Sequence, residues 1–149
     1  MATSSDVRYA SAAPVQLPLS VRYILRIEGL AFAAISTILY ARTGASWWLF
    51  AALWLVPDVS MLGYLAGPCR GARVYNTVHT YTLPITLGLS AWLLQAHVLV
   101  PFALIWVYHI AIDRLLGYGL KYSNGFALTH LGSKVTLAAR MLDQKPPCS

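Results

Sequence analysis

Apolar residues along this chain gather into four long blocks, approximately Val21 to Ala41, Ser46 to Ala66, Tyr75 to Ala96 and Val98 to Leu120. Each reaches the roughly 20 residues that cross about 30 Å of hydrocarbon as an α-helix rising 1.5 Å per residue. The links between them are Arg42-Thr43-Gly44-Ala45, the stretch from Gly67 to Val74, and a turn around His97. They are rich in breakers or charge and too short to hold a domain. The pattern predicts an all-α fold, a four-helix transmembrane bundle over residues 19–120. Residues 1–18, rich in Ser, Ala and Pro, read as a flexible tail without the h-region and cleavage site of a signal peptide, so no cleavage is expected. After Lys121 the pattern changes. From Phe126 onward Leu128, Leu131, Val135, Ala138 and Leu142 recur at spacings of three and four. That predicts an interfacial amphipathic helix within a C-terminal segment, 121–149, that covers the inner end of the bundle or acts as a lipid-sensing lid.

Composition agrees with the blocks. With 58% hydrophobic and 11% charged residues, the chain cannot cover a small water-soluble globule with polar surface. Disorder, a coiled coil and a disulfide scaffold are excluded by five Trp, nine Tyr and only two Cys. The net charge of +6 is scattered rather than gathered into a basic run, which argues against nucleic acid and for topology. Arg8, Arg22, Arg70, Arg73, Lys121, Lys134, Arg140 and Lys145 fall on one side of a four-span bundle, against Arg42 on the other. Positive charge is retained in the cytoplasm, so both termini are expected there, with Trp47 and Trp48 at the outer interface. Cys69 and Cys148 stand in no metal-binding spacing and read as free thiols.

The informative residues are the ionisable ones inside the blocks, because a charge at bilayer depth costs at least about 2.5 kcal/mol unless it is paired or faces a cavity. They are Glu28, Asp58, His79, His109, Asp113 and Arg114. Counted from the cytoplasmic end of each span at about 1.5 Å per residue, Glu28, Asp58, His79 and Asp113 all lie roughly 8 to 12 Å deep, with His109 one turn deeper. Four helices of alternating direction thus place polar groups in one layer, which implies a shared polar site in the inner third of the bundle. His109 and Asp113 share a face at i,i+4, and Tyr75, His79, Thr82 and Thr86 form a stripe on the third span with Asn76 beside it. Pro57 and Pro84 free backbone carbonyls one turn back, adding acceptors near the layer. Glu28, Asp58 and Asp113 set against Arg26 and Arg114 leave one negative charge, to be cancelled by a proton or a bound cation.

Three readings compete for this layer. One is a structural polar network that fixes helix packing. Another is an enzyme site performing acid–base chemistry on, or binding, a lipid-soluble molecule, with Glu28, Asp58, His79, His109 and Asp113 as the catalytic set, or, as the weaker version, two histidines plus carboxylates holding a transition metal. The third is a transport path for a small solute or cation in a homo-oligomer. No metal-ligand set is assigned and no cofactor is identified: His109-xxx-Asp113 is common by chance, and neither HExxH nor repeated ExxH occurs.

The strings Arg26-Ile-Glu28-Gly29, Pro57-Asp58-Val-Ser-Met-Leu-Gly-Tyr64, Tyr75-Asn76-xx-His79, His109-Ile-xx-Asp113-Arg114-xx-Gly117-Tyr-Gly-Leu-Lys121-Tyr122 and Thr129-His130-Leu-Gly132 resemble the domain of unknown function 4260 family of small bacterial integral membrane proteins. The resemblance covers about Leu25 to Gly132. It implies a four-helix protein of a bacterial inner membrane and supplies no activity. Its motifs add Tyr75, Asn76, Arg114, Lys121 and His130 as residues supporting a substrate or the network, His130 through the motif alone.

Overall fold

The computed structural model describes residues 17–121 together with Leu128, Thr129, Gly132 and Ser133. The described chain is helical apart from its connecting turns, residues 117–121 and those last four residues. Helix α1 (Leu19–Thr43) is followed by α2 (Trp47–Leu53) and a 3-10 stretch (Val56–Ala66). Then come α3 (Pro68–Val78), α4 (Thr82–Leu93), a 3-10 turn at His97–Leu99 and α5 (Val100–Leu116).

Helix α1 runs 25 residues, about 37 Å at 1.5 Å per residue and enough to cross a bilayer. It stops at Gly44, whose φ of 71° is the left-handed conformation that glycine adopts without a Cβ penalty. Ser46 then caps α2 by accepting the Trp48 N–H, and the Tyr40 hydroxyl donates to the Ser46 carbonyl at 2.6 Å. The buried face of α1 is Gly29, Ala33, Ser36 and Tyr40, and it packs along α5. A Cβ on Gly29 would lie 2.8 Å from the Leu115 nitrogen and 2.9 Å from the Ala111 oxygen, so only glycine permits this approach. The Ser36 hydroxyl is satisfied within its own helix by Phe32 and Ala33 carbonyls.

Two of the expected spans are interrupted, each near a proline. Pro57 lacks an N–H and its ring opposes the Leu53 carbonyl, and the α-helix gives way there to the 3-10 stretch. Pro84 acts likewise on the Thr80 carbonyl, and the third span breaks between Val78 and Thr82. Three stretches are long and apolar enough to cross a membrane: Leu19–Thr43, Trp47–Ala66 and His97–Leu116. The third expected span is instead two helices of 11 and 12 residues, neither long enough alone. Because the helix breaks, the stripe of Tyr75, His79, Thr82 and Thr86 does not continue: Tyr75 and His79 are buried while Thr82 and Thr86 are exposed.

The 3-10 stretch folds back on α3 through a turn at Gly67, and Gly71 lies so close to the Tyr64 ring that a Cβ there would collide with it. Leu65 and Trp48 are 87% and 86% exposed, the outward apolar surface expected of a protein whose solvent is lipid. The chain is a membrane protein.

Three expectations change in the remaining segments. Helix α5 ends at Leu116, four residues short of the expected boundary, capped by Gly117 (φ 82°) with the Tyr118 N–H donating to the Asp113 carbonyl. Leu128–Thr129 pairs antiparallel with Gly132–Ser133 as two short strands, β1 and β2, where the apolar spacing predicted an amphipathic helix. β-Branched Thr129 and Gly132 are poor helix formers at the centre of that spacing. The rest of the predicted helix, and the tail of residues 1–16, lie outside the described residues. Cys69, expected as a free thiol, is disulfide-bonded; Cys148, the other cysteine of the chain, lies outside the described residues.

Candidate metal centre

Four side chains from three elements converge. Asp58 comes from the 3-10 stretch, His79 from the C-terminal cap of α3, and His109 and Asp113 from one face of α5. One ligand-type atom from each lies within 4.8 Å of all the others. His79 Nε2 is 3.2 Å from His109 Nε2. Asp58 Oδ1 is 3.5 Å from His79 Nε2 and 3.6 Å from His109 Nε2, while Asp113 Oδ2 is 3.7 and 3.9 Å from the same two nitrogens. A tetrahedral metal with bonds of about 2.1 Å separates its donors by about 3.4 Å, so these spacings are those of a first coordination shell slightly expanded.

The tautomer follows from the hydrogen bonds. His79 Nδ1 is 3.0 Å from the Tyr75 carbonyl, which only accepts, so the proton is on Nδ1 and the Nε2 lone pair faces the cluster. A ligating histidine typically donates its second N–H to a carbonyl in this way. His109 Nδ1 is buried and has no hydrogen-bond partner among the described residues. The carboxylates also accept only, so three of the four converging atoms are committed acceptors. One N–H from His109 Nε2 could serve His79, but it would leave both carboxylates without a donor from the imidazoles.

Surrounding groups fix the ligands. The Tyr75 hydroxyl donates to Asp113 Oδ2 at 3.3 Å, and its ring stacks on His79 with centroids 3.7 Å apart. The break between α3 and α4 frees two carbonyls that α5 then uses. Trp106 Nε1 donates to the Val78 oxygen at 2.8 Å and Arg114 Nη2 to the His79 oxygen at 3.0 Å. These two bonds tie α5 to the chain at His79, through carbonyls of the helix break rather than through the Thr80 carbonyl one turn before Pro84. Asn76 exchanges two hydrogen bonds with the Lys121 backbone, at 2.8 and 2.7 Å, holding the segment after α5 against α3. The Lys121 ammonium lies 4.4 Å from the Tyr75 ring centroid and 5.4 Å from that of Tyr64. Burial lowers the pKa of Lys121 to about 8 against the opposing pull of Asp113 and Asp58.

Of the five residues expected to form the catalytic set, Asp58, His79, His109 and Asp113 meet, and Glu28 does not. Glu28 is exposed, next to buried Gly29. Among the supporting residues Tyr75, Asn76, Arg114 and Lys121 all border the cluster, and His130 lies outside the described residues. Tyr64 and the Trp106 indole N–H enter through the structure. Tyr64 stood in the sequence as the end of a family motif and Trp106 as an aromatic in an apolar run, and neither had a spacing that assigned it a role at the site.

The centre is closed on the imidazole side and open on the carboxylate side. The histidine side chains are 2–3% exposed, that of Asp113 19% and that of Asp58 35%. The two carboxylates of the cluster carry two negative charges, which one divalent ion would balance without a protonated histidine.

The family model described as domain of unknown function (DUF4260) matches residues 22–134. No curated protein and no solved structure matches the chain.

Proposed function

We propose, from the premise that this chain belongs to the DUF4260 family, that it is a membrane metalloprotein whose centre is formed by Asp58, His79, His109 and Asp113. The observation that carries this reading is the convergence of one donor atom from each residue: the two imidazole nitrogens lie 3.2 Å apart and 3.5 to 3.9 Å from the two carboxylate oxygens, all four within 4.8 Å of one another. A mixed nitrogen and oxygen donor set suits a first-row divalent ion such as zinc, iron or manganese. The convergence of acceptors favours a bound cation over acid–base chemistry by the histidines alone, since a metal-free pair offers at most one N–H toward two carboxylates. The ion would act as a Lewis acid on a lipid-soluble molecule reaching it from the open, carboxylate side.

Four membrane crossings, the third made of α3 and α4 together, place this centre at the depth where such a molecule partitions. The distribution of Lys and Arg supports both termini in the cytoplasm, and the family resemblance implies a bacterial inner membrane. The disulfide at Cys69 pulls the other way, because disulfides persist in oxidising compartments.

The test is metal content of detergent-purified full-length protein after incubation with zinc, iron(II) or manganese and removal of excess ion. One ion per chain is expected, lost on replacing His79 and His109 together by alanine in a protein that keeps its helical circular dichroism. Retention of no ion by the unaltered chain would leave a proton-sharing or purely structural cluster and overturn the metal reading.

A further inference from the structure

We infer that the four ligands are not equivalent: His79, His109 and Asp113 hold the metal, and Asp58 is a displaceable ligand that yields its place to an incoming oxygen donor. The inference rests on the metal reading above and deepens it. Two of the ligands are locked by hydrogen bonds, and His109 is held by burial. His79 is fixed by its Nδ1–H bond to the Tyr75 carbonyl and by the Tyr75 ring. Asp113 is held by the Tyr75 hydroxyl, and it shares α5 with His109 one turn away. Among the described residues no hydrogen-bond donor other than the two imidazoles reaches the Asp58 carboxylate, and it is the most exposed of the four.

The element beneath Asp58 is also the least regular. The stretch Val56–Ala66 is 3-10 helix for 11 residues, where runs beyond about three or four are uncommon and mid-helix 3-10 segments often mark a hinge. Its packing is against α3, whose C-terminal cap is His79, while His109 and Asp113 sit on α5. With its side chain 35% exposed, Asp58 can swing out by side-chain rotation without disturbing the other three. What remains is a two-histidine, one-carboxylate site with an open position, the arrangement that catalytic metals use for water or substrate.

The exchange is balanced without any redox step. The Asp58 carboxylate leaves as an anion and an oxygen lone pair of the incoming ligand replaces it. Where that ligand is water, its proton passes to the released carboxylate and metal-bound hydroxide remains. The ligand class is an oxygen donor, either water or a carboxyl or phosphoryl oxygen of an amphiphile.

The experiment uses cobalt(II) as the metal and azide as the probe, on the full chain in detergent micelles. The visible cobalt bands of the unaltered protein are expected to shift on addition of azide. Asp58→Ala is expected to keep one cobalt per chain and to give the same shift at azide concentrations at least about tenfold lower. Asp113→Ala is expected to weaken cobalt binding by more than about 100-fold, beyond the loss typical of a supporting partner. A cobalt spectrum of the unaltered protein that ignores azide at every concentration overturns the inference, and that titration stands even if a variant fails to fold. Equal loss of cobalt from Asp58→Ala and Asp113→Ala overturns it as well. Failure of the unaltered chain to take up cobalt would instead remove the metal reading on which it rests.

Discussion

Tyr75 shows how much of the centre depends on one residue. Its carbonyl sets the His79 tautomer, its ring stacks on that imidazole, and its hydroxyl orients Asp113. Only the last of these is lost in Tyr75→Phe. Metal affinity is therefore expected to fall about 10- to 100-fold, as for other supporting partners of ligands. Equilibrium titration with zinc checks this, and an affinity unchanged in the variant would show that Asp113 needs no orienting bond. Residue positions were legible in the sequence as depth but not as direction. Counting along the spans placed Glu28 at the same level as Asp58, His79 and Asp113, but neighbouring positions on a helix point about 100° apart. Burial of Gly29 against α5 turns Glu28 outward.

Among the elements, the blocks of apolar residues located the helices because membrane spans carry the strongest periodic signal in a chain. What they did not reveal is where helical geometry changes inside a block. The prolines at 57 and 84 were visible, yet whether a proline kinks a helix, converts it to 3-10 or breaks it depends on the partners found by the freed carbonyls. Trp106 and Arg114 supply those partners for α3 from another element. The C-terminal spacing misled over Leu128 to Ser133 for a related reason: apolar residues three and four apart also fit a short hairpin when Thr and Gly occupy its centre. The α1 and α5 pair gives a direct check on packing. Gly29→Ala improves helix propensity by about 1 kcal/mol, but its methyl meets backbone atoms at 2.8 and 2.9 Å, which cannot rotate away. Net destabilisation is expected, within the roughly 1 to 3 kcal/mol of overpacked sites, read as a lower melting temperature in detergent. An unchanged or raised melting temperature would mean that the helices separate at little cost.

At the scale of the whole molecule, the interrupted spans are what bring the centre together. A continuous second helix and a continuous third would carry Asp58 and His79 along straight axes; the 3-10 stretch and the break after Val78 instead deliver both to the face of α5 that bears His109 and Asp113. Orientation in the membrane is a separate matter, because charge distribution and the Cys69 disulfide point to opposite sides. A reporter fused after Ser149 is expected to be active in the cytoplasm, following the larger number of basic residues; periplasmic activity would invert the topology and leave the centre intact. The measurement that tests the metal centre most directly is X-ray absorption at the metal edge of the zinc-loaded protein. The expected result is a first shell of two imidazole nitrogens and two carboxylate oxygens at about 2.0 to 2.2 Å, with imidazole scattering beyond it. A shell without imidazole scattering, or zinc held only by water and detergent oxygen, would contradict it.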